Sequence, residues 1–186
     1  YGVDTNIVNN SNMLFSLPYN DYSVKVISEY TFPEIFEISL ENDTTIFITV
    51  DGYDNVFSDS FDNLINWNNQ SGTWNLDNFG NIISQSNLLY QDSSHSFISL
   101  NNEITNVTDG DLVIELDWKY ELEWENDTVY LSIISDTDTI NKVWNNQFWD
   151  FHKQYIKIPK DNFQSFYVDI GIKSDQSVAY RGVVID

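Results

Sequence analysis

The sequence predicts an all-β protein built from two consecutive β-sandwich modules. Apolar and polar residues alternate along several segments, which is the period of a strand with one buried face. Alanine occurs only at Ala179, and no stretch keeps apolar residues at helical spacing over three turns. A length of 186 residues exceeds one immunoglobulin-sized sandwich and suits either one large jelly roll or two modules. A change of composition after residue 50 favours two modules.

The first module begins as a small antiparallel meander. Alternation over 23–27 and 35–40 predicts two strands, and the β-branched run at 44–50 predicts a third. A turn-rich stretch at 51–55 then separates two regions of different composition. The modules are therefore residues 1–52 and residues 55–186.

The clearest strand of the sequence is Asp111–Glu125, in the second module. Its apolar face consists of Leu112, Ile114, Leu116, Trp118, Tyr120, Leu122 and Trp124. A strand this long with a charged opposite face belongs to an antiparallel sheet that packs on a second sheet. Later strands are predicted at 129–134, 154–158, 166–172 and 182–185. We expect about eight strands in this module, which suits a jelly roll.

Charge and residue usage exclude several classes of partner and chemistry. There are 29 acidic and 8 basic residues, and the formal charge of -21 repels nucleic acid and anionic membranes. Because cysteine is absent, thiol catalysis, disulfides and zinc–thiolate sites are excluded. His95 and His152 fall in no metal-binding motif, so we interpret both as ordinary strand or surface residues. No apolar run reaches the roughly 18 residues that a membrane span needs.

Three segments of the second module resemble one family. They are 118–136 (WKYELEWENDTVYLSIISD), 174–186 (SDQSVAYRGVVID) and 57–74, which contains SFDN and two tryptophans. They are similar to the central hairpin, the closing segment and the first strand of the MAM-like jelly-roll domains of immune-inhibitor-A-type secreted peptidases and related surface proteins. The resemblance spans most of 55–186 and implies an accessory, extracellular jelly roll.

The same resemblance implies a structural calcium ion. In that family, and in related carbohydrate-binding jelly rolls, Ca²⁺ ties the first strand to the last through carboxylates and backbone carbonyls. The matching positions are Asp62, after Phe61, and Asp186, after Ile185. Two carboxylates brought together repel unless a cation or protons intervene, so the expectation is physically reasonable. The family's last strand usually continues beyond this aspartate, so either the sequence is cut at this point or a strand from a neighbouring chain completes the sheet.

The first module resembles a second family. Residues 17–50, containing LPYNDYSVKVIS and ENDTTIFITV, are similar to carboxypeptidase-regulatory-like domains. Those are small immunoglobulin-like sandwiches that act as spacers. Because the early strands are shortened here, residues 1–52 are expected to form a partial copy.

We expect no catalytic site in this chain. The paired histidines and glutamate of a metallopeptidase helix are missing. Glu121, Glu123 and Glu125 share one predicted strand face at a spacing that a glycosidase could use, but any alternating carboxylates on a solvated strand have that spacing. A solvated face is therefore the preferred interpretation.

Tryptophans and sequons are the other candidate sites. Trp118 and Trp124 follow the apolar face and are predicted to lie in the core. Four tryptophans in irregular segments either pack under loops or stack on sugar rings: Trp67, Trp74, Trp144 and Trp149. Five N-x-S/T sequons permit glycosylation without arguing for it: Asn9, Asn42, Asn69, Asn106 and Asn126.

The preferred hypothesis is a non-catalytic accessory module of a larger secreted or cell-surface protein. It would serve adhesion, spacing or substrate docking beside the other domains of that protein. Two alternatives stay open: a lectin-like carbohydrate-binding module, and a surface filament or layer subunit completed by strand exchange between neighbouring copies. Neither nucleic-acid binding nor membrane insertion is expected.

Overall fold

The computed structural model of the protein describes residues 17–27, 32–48, 55–72, 74–84, 89–90, 93–105, 111–159 and 165–186. The chain divides into two compact units, Tyr1–Asp51 and Gly52–Asp186, and each is described by itself. Over the described residues the secondary structure is thirteen strands and no helix, and every strand pairing is antiparallel. The predicted all-β class is confirmed, and none of these sheets closes into a barrel.

Strand bounds follow the chain in order. They are β1 (Asp21–Val26), β2 (Glu34–Ser39), β3 (Trp67–Ser71), β4 (Asn75–Leu76), β5 (Ile82–Ile83), β6 (His95–Leu100), β7 (Ile104–Thr105), β8 (Leu112–Glu121), β9 (Thr128–Ile134), β10 (Thr139–Trp144), β11 (Phe148–Ile158), β12 (Ser165–Lys173) and β13 (Gly182–Ile185). A search of the described residues for a helix long and apolar enough to span a membrane found none.

The first unit contains the β1–β2 ribbon. Val24 pairs with Phe36, and one face of the ribbon is partly buried while the other is exposed. The two strands predicted at 23–27 and 35–40 are therefore present. The third is wrong over the described residues 44–48, which form no strand and leave Phe47 89% exposed. Its β-branched composition favours an extended chain, but a strand also needs a hydrogen-bonded neighbour.

Two sheets make up the second unit. One has the order β10-β9-β12-β6-β3, and β7 also pairs with β12. The other has the order β11-β8-β13-β5-β4. Strand β13 lies between β8 and β5, so both of its edges are paired within the chain. A strand from a neighbouring copy would therefore have to add to an outer strand rather than to β13.

The core lies between these two sheets. Alternate residues Leu116, Trp118 and Tyr120 of β8 are buried, as are Leu131 and Ile133 of β9. The rings of Trp118 in β8 and Trp144 in β10 meet edge to face at a centroid distance of 4.8 Å, which joins the two sheets directly. This unit is therefore a β-sandwich, as the alternation predicts.

Strand β8 ends earlier than the sequence predicts. Its last residue is Glu121, and Trp124, predicted to be in the core, is 61% exposed. The chain turns here because Glu125 has a φ of 64° and the Asp127 N–H donates to the Glu123 carbonyl at 3.2 Å. Once the backbone leaves the extended conformation, alternation no longer fixes which face a side chain takes.

The opening of the second unit also differs from the prediction. Among the described residues of 57–74, which resemble the first strand of the MAM-like family, only Trp67–Ser71 form a strand, and Phe61 has a φ of 55°. The segment before this strand is held by side chains instead, since Asp59 accepts hydrogen bonds from Asn66 Nδ2 and Trp67 Nε1, each at 3.0 Å. Hydrogen bonds to the Asp59 carboxylate thus replace some of the backbone hydrogen bonds that would hold a strand in place.

A partly buried carboxyl group in β12 gives the first testable prediction. Burial raises the pKa of Asp169, against the opposing effects of the Ser99 hydrogen bond and the His95 charge. A raised folded-state pKa stabilises the fold below the unfolded pKa, and this contribution is lost as pH rises through the folded value. We therefore expect Asp169→Asn to melt above the wild type at pH 7, with the difference disappearing near pH 3 in melts monitored by circular dichroism. A variant that is less stable at both pH values would contradict this.

Candidate functional site

Three carboxylates meet at one end of the sandwich. Glu123 and Asp127 flank the turn between β8 and β9, and Asp175 follows β12. One oxygen from each lies within 4.8 Å of the other two. We call Glu123, Asp127 and Asp175 the acidic cluster. The acidic cluster joins the turn that follows β8, in the five-stranded sheet, to the loop that follows β12, in the other sheet.

Asp127 is the buried member of the acidic cluster. Only 1% of its surface is exposed. Its Oδ1 accepts the Asp175 N–H at 2.8 Å, and its Oδ2 accepts the Tyr90 hydroxyl. Burial, together with the hydrogen bond to Asp127, raises the pKa of Tyr90 well above its ordinary value. The phenol therefore stays protonated and remains a donor.

Ser177 organises the other two members of the acidic cluster. Its hydroxyl hydrogen-bonds to both Glu123 and Asp175, and its N–H donates to Asp175 Oδ1 at 2.8 Å. Glu123 also accepts the Val178 N–H at 3.2 Å. The Ser177 hydrogen bonds are the main cause that lowers the pKa of Glu123 and of Asp175. Both groups are therefore held as anions.

The donor set of the acidic cluster fits a hard cation. All three groups offer carboxylate oxygens, which Ca²⁺ prefers. Within the part of the chain that the structure describes, no lysine or arginine forms an ion pair with any of them. Among the described residues, hydrogen bonds alone offset the negative charge of these three groups. A bound cation would offset that charge more strongly.

Asp62 and Asp186, the predicted calcium ligands, lie elsewhere. Asp62 accepts the Ser60 hydroxyl at 2.8 Å, and Asp186 is an exposed residue whose N–H donates to the Asp117 carbonyl at 2.9 Å. Asp186 lines a cavity together with Asp59 and Asp117, but Asp62 does not. Among the described residues, three acidic or histidine side chains come within 4.8 Å of one another only in the acidic cluster, so that cluster is better suited to a cation.

The four tryptophans proposed for sugar stacking differ in exposure. Trp67 is 7% and Trp74 is 2% exposed, so both pack in the core and offer no free ring face. Trp144 is partly buried against Trp118. Trp149 lies partly exposed in β11, so it is the one of the four best placed to contact a ligand.

Trp149 belongs to a cluster of rings and cations on the outer face of the five-stranded sheet. Lys119 Nζ lies 5.1 Å from the Trp149 ring centroid and 4.3 Å from that of Phe151, which is 42% exposed. The Arg181 guanidinium lies 4.9 Å from the Trp149 ring. We call Lys119, Trp149, Phe151 and Arg181 the aromatic–cation surface.

A β-bulge creates this surface. Phe148 pairs with Tyr120 and His152 pairs with Trp118, so residues 149–151 of β11 lie opposite the single residue Lys119 of β8. Both Trp149 and Phe151 therefore reach Lys119. Alternation along β8 places Lys119 on the solvated face, but nothing in the sequence marks the bulge.

The remaining candidate residues take ordinary positions. Asn42 and Asn126 are exposed in turns, Asn69 is exposed in β3, and Asn9 and Asn106 lie outside the described residues. His95 Nε2 lies 2.6 Å from the Tyr130 hydroxyl, and the His152 ring packs against Tyr120. Glu121, Glu123 and Glu125 do not share a strand face, since only Glu121 belongs to β8.

Fold and site together define a class, an all-β protein with a two-layer sandwich, an acidic cluster at one end and a ring-bearing sheet face. No model of a known protein family matches the chain, and no curated protein matches it significantly.

Proposed function

We propose that this chain is a non-catalytic accessory module of a larger secreted or surface protein, stabilised by calcium. In this proposal the second unit is a jelly roll that serves adhesion, spacing or substrate docking, and the first is a partial immunoglobulin-like spacer. The observation that carries the proposal is the acidic cluster, with three carboxylates within 4.8 Å and one of them buried. Calcium sites with so few protein ligands suit extracellular modules, which bind Ca²⁺ with Kd values of roughly 0.1–1 mM.

A bound ion would act as a crosslink between the two layers. Glu123 and Asp127 come from the β8–β9 turn, and Asp175 comes from the loop after β12. β8 belongs to one sheet, and β9 and β12 belong to the other. An ion shared by these residues would resist separation of the sheets at this end, because unfolding would remove its ligands.

Calcium dependence of the melting temperature tests this proposal. At a calcium concentration about 100-fold above Kd, binding should raise the free energy of unfolding by about 2.7 kcal/mol. For a unit of this size that is a Tm increase of roughly 5–10 °C over the same protein in EDTA. Differential scanning calorimetry in the two buffers measures the shift.

Two variants locate the ion. Asp175→Asn keeps an oxygen that can accept the Ser177 hydrogen bonds but removes one charge, so most of the calcium shift should disappear. Asp62→Asn, a matched change of an exposed carboxylate outside the acidic cluster, should keep the shift. Identical melting temperatures of the wild type in calcium and in EDTA would refute the calcium proposal. If only Asp62→Asn lost the calcium shift, the ion would bind at Asp62 and not at the acidic cluster.

Carbohydrate binding is the second candidate function. Its support is the partly exposed Trp149 ring beside Phe151, since sugar rings have apolar faces that stack on aromatic side chains. A glycan that binds there should quench tryptophan fluorescence, and Trp149→Ala should abolish that quenching. Trp124→Ala removes a tryptophan that is 61% exposed outside this surface and should leave the titration unchanged. A flat titration over a broad glycan panel would count against this function.

A further inference from the structure

We infer that the aromatic–cation surface binds neutral hexopyranose glycans and discriminates against uronic acids. The inference rests on the carbohydrate-binding candidate and names its ligand class. Trp149 and Phe151 would receive the C–H face of a sugar ring, while Lys119, Arg181 and Glu121 would hydrogen-bond to its hydroxyl groups.

The rings form an adaptable platform. The bulge places Trp149 and Phe151 opposite the single residue Lys119, so a sugar can contact both rings. The lysine ammonium lies over both rings, and the Arg181 guanidinium lies over the Trp149 ring. A cation–π contact at an exposed site is weak and the lysine stem is flexible, so a sugar can displace the ammonium at small cost. The displaced Lys119 is then free to donate to sugar hydroxyls.

Polar groups around the platform suit hydroxyl groups, which both donate and accept hydrogen bonds. Among the described residues Lys119 forms no ion pair, so its three N–H donors are available. Arg181 uses Nε to contact Glu121 Oε2 at 3.3 Å, which leaves its terminal nitrogens as donors. The other Glu121 oxygen is an acceptor. Donors and acceptors therefore border the same two rings.

Charge favours a neutral ligand over an acidic one. Asp117 and Glu121 flank Lys119 along β8 and offset the charges of Lys119 and Arg181, so this surface has no net positive charge to attract a sugar carboxylate. The chain as a whole carries -21 and therefore repels an acidic ligand. A neutral sugar meets no such repulsion.

Isothermal titration with paired ligands tests the inference. The probes are gluco-, galacto- and manno-oligosaccharides and the matching oligosaccharides oxidised at C6 to uronic acids. We expect at least one neutral probe to bind at least about tenfold more tightly than its oxidised partner. Phe151→Ala and Lys119→Met should each weaken that binding about tenfold. Tyr167→Ala removes a ring that is also 42% exposed, on the other sheet, and should bind as the wild type does.

Each outcome has a definite meaning. Equal or tighter binding of an oxidised probe overturns the neutral-ligand inference and leaves carbohydrate binding standing. Absence of binding by every probe refutes the carbohydrate function itself. If Tyr167→Ala weakens binding as much as Phe151→Ala does, the aromatic–cation surface is not the site. Thermal melts of each variant distinguish lost binding from lost folding.

Discussion

Replacing Trp118 with alanine is expected to lower the free energy of unfolding of the second unit by about 3–5 kcal/mol. The side chain is 0% exposed and lies at the centre of β8. Its ring contacts Trp144 at 4.8 Å and Tyr120 at 5.3 Å between centroids, so truncation leaves a cavity where the two sheets meet. Thermal denaturation should show a Tm lower by roughly 10–15 °C, at about 3 °C per kcal/mol.

Trp124→Ala is the matched control for this prediction. Trp124 is 61% exposed in the turn after β8, so the same truncation there should change stability by less than about 0.5 kcal/mol. The sequence alone would assign similar costs to both changes, because both residues continue one apolar alternation. A Trp118→Ala protein that melts with the wild type would contradict the two-layer arrangement.

Alternation predicted the buried faces well wherever the chain stayed extended. Leu116, Trp118 and Tyr120 of β8 are buried, as is Leu122 just after it, and Val129, Leu131 and Ile133 continue the core in β9. Pro159 correctly marks the end of β11, since proline cannot donate to a ladder. These signals are local, and each depends on only a few consecutive residues.

Prediction failed where pairing partners decide the structure. Residues 44–48 have strand-like composition but form no strand. Conversely, β6 and β10 were not predicted, and their neighbours β12 and β9 supply their hydrogen bonds. Whether a segment becomes a strand depends on a partner that is distant in sequence.

Both candidate sites depend on such distant contacts. Asp175 lies 48 residues from Asp127, to whose Oδ1 its N–H donates, and only the pairing of β12 with β9 brings them together. The family resemblance predicts calcium ligands at Asp62 and Asp186, whereas the carboxylates that the structure brings together are Glu123, Asp127 and Asp175. Phe151 was missed because the bulge in β11, invisible in the sequence, brings it to Lys119.

Replacement of Asp127 separates the structural role of the acidic cluster from its proposed metal-binding role. Asp127→Ala removes the acceptor of both the Tyr90 hydroxyl and the Asp175 N–H, in a side chain that is 1% exposed. Each buried donor left without a partner costs about 1–3 kcal/mol. In EDTA we therefore expect Asp127→Ala to lose about 3 kcal/mol of stability in chemical denaturation.

Asp127→Asn should behave differently, because an amide keeps one hydrogen bond and can reverse the other. Its oxygen can accept the Asp175 N–H, and its nitrogen can donate to the Tyr90 oxygen, which already accepts the Glu123 N–H at 3.2 Å. Because the Tyr90 O–H loses its acceptor, in EDTA this variant should lose about 1–2 kcal/mol, less than the alanine variant, whereas in calcium it should gain almost none of the stabilisation that the wild type gains. If the asparagine variant were as unstable as the alanine variant in EDTA, charge rather than hydrogen bonding would hold this end of the sandwich together. If it kept the full calcium shift, Asp127 would not be a ligand. The pair of substitutions thus tests the fold at this end and the proposed ion independently.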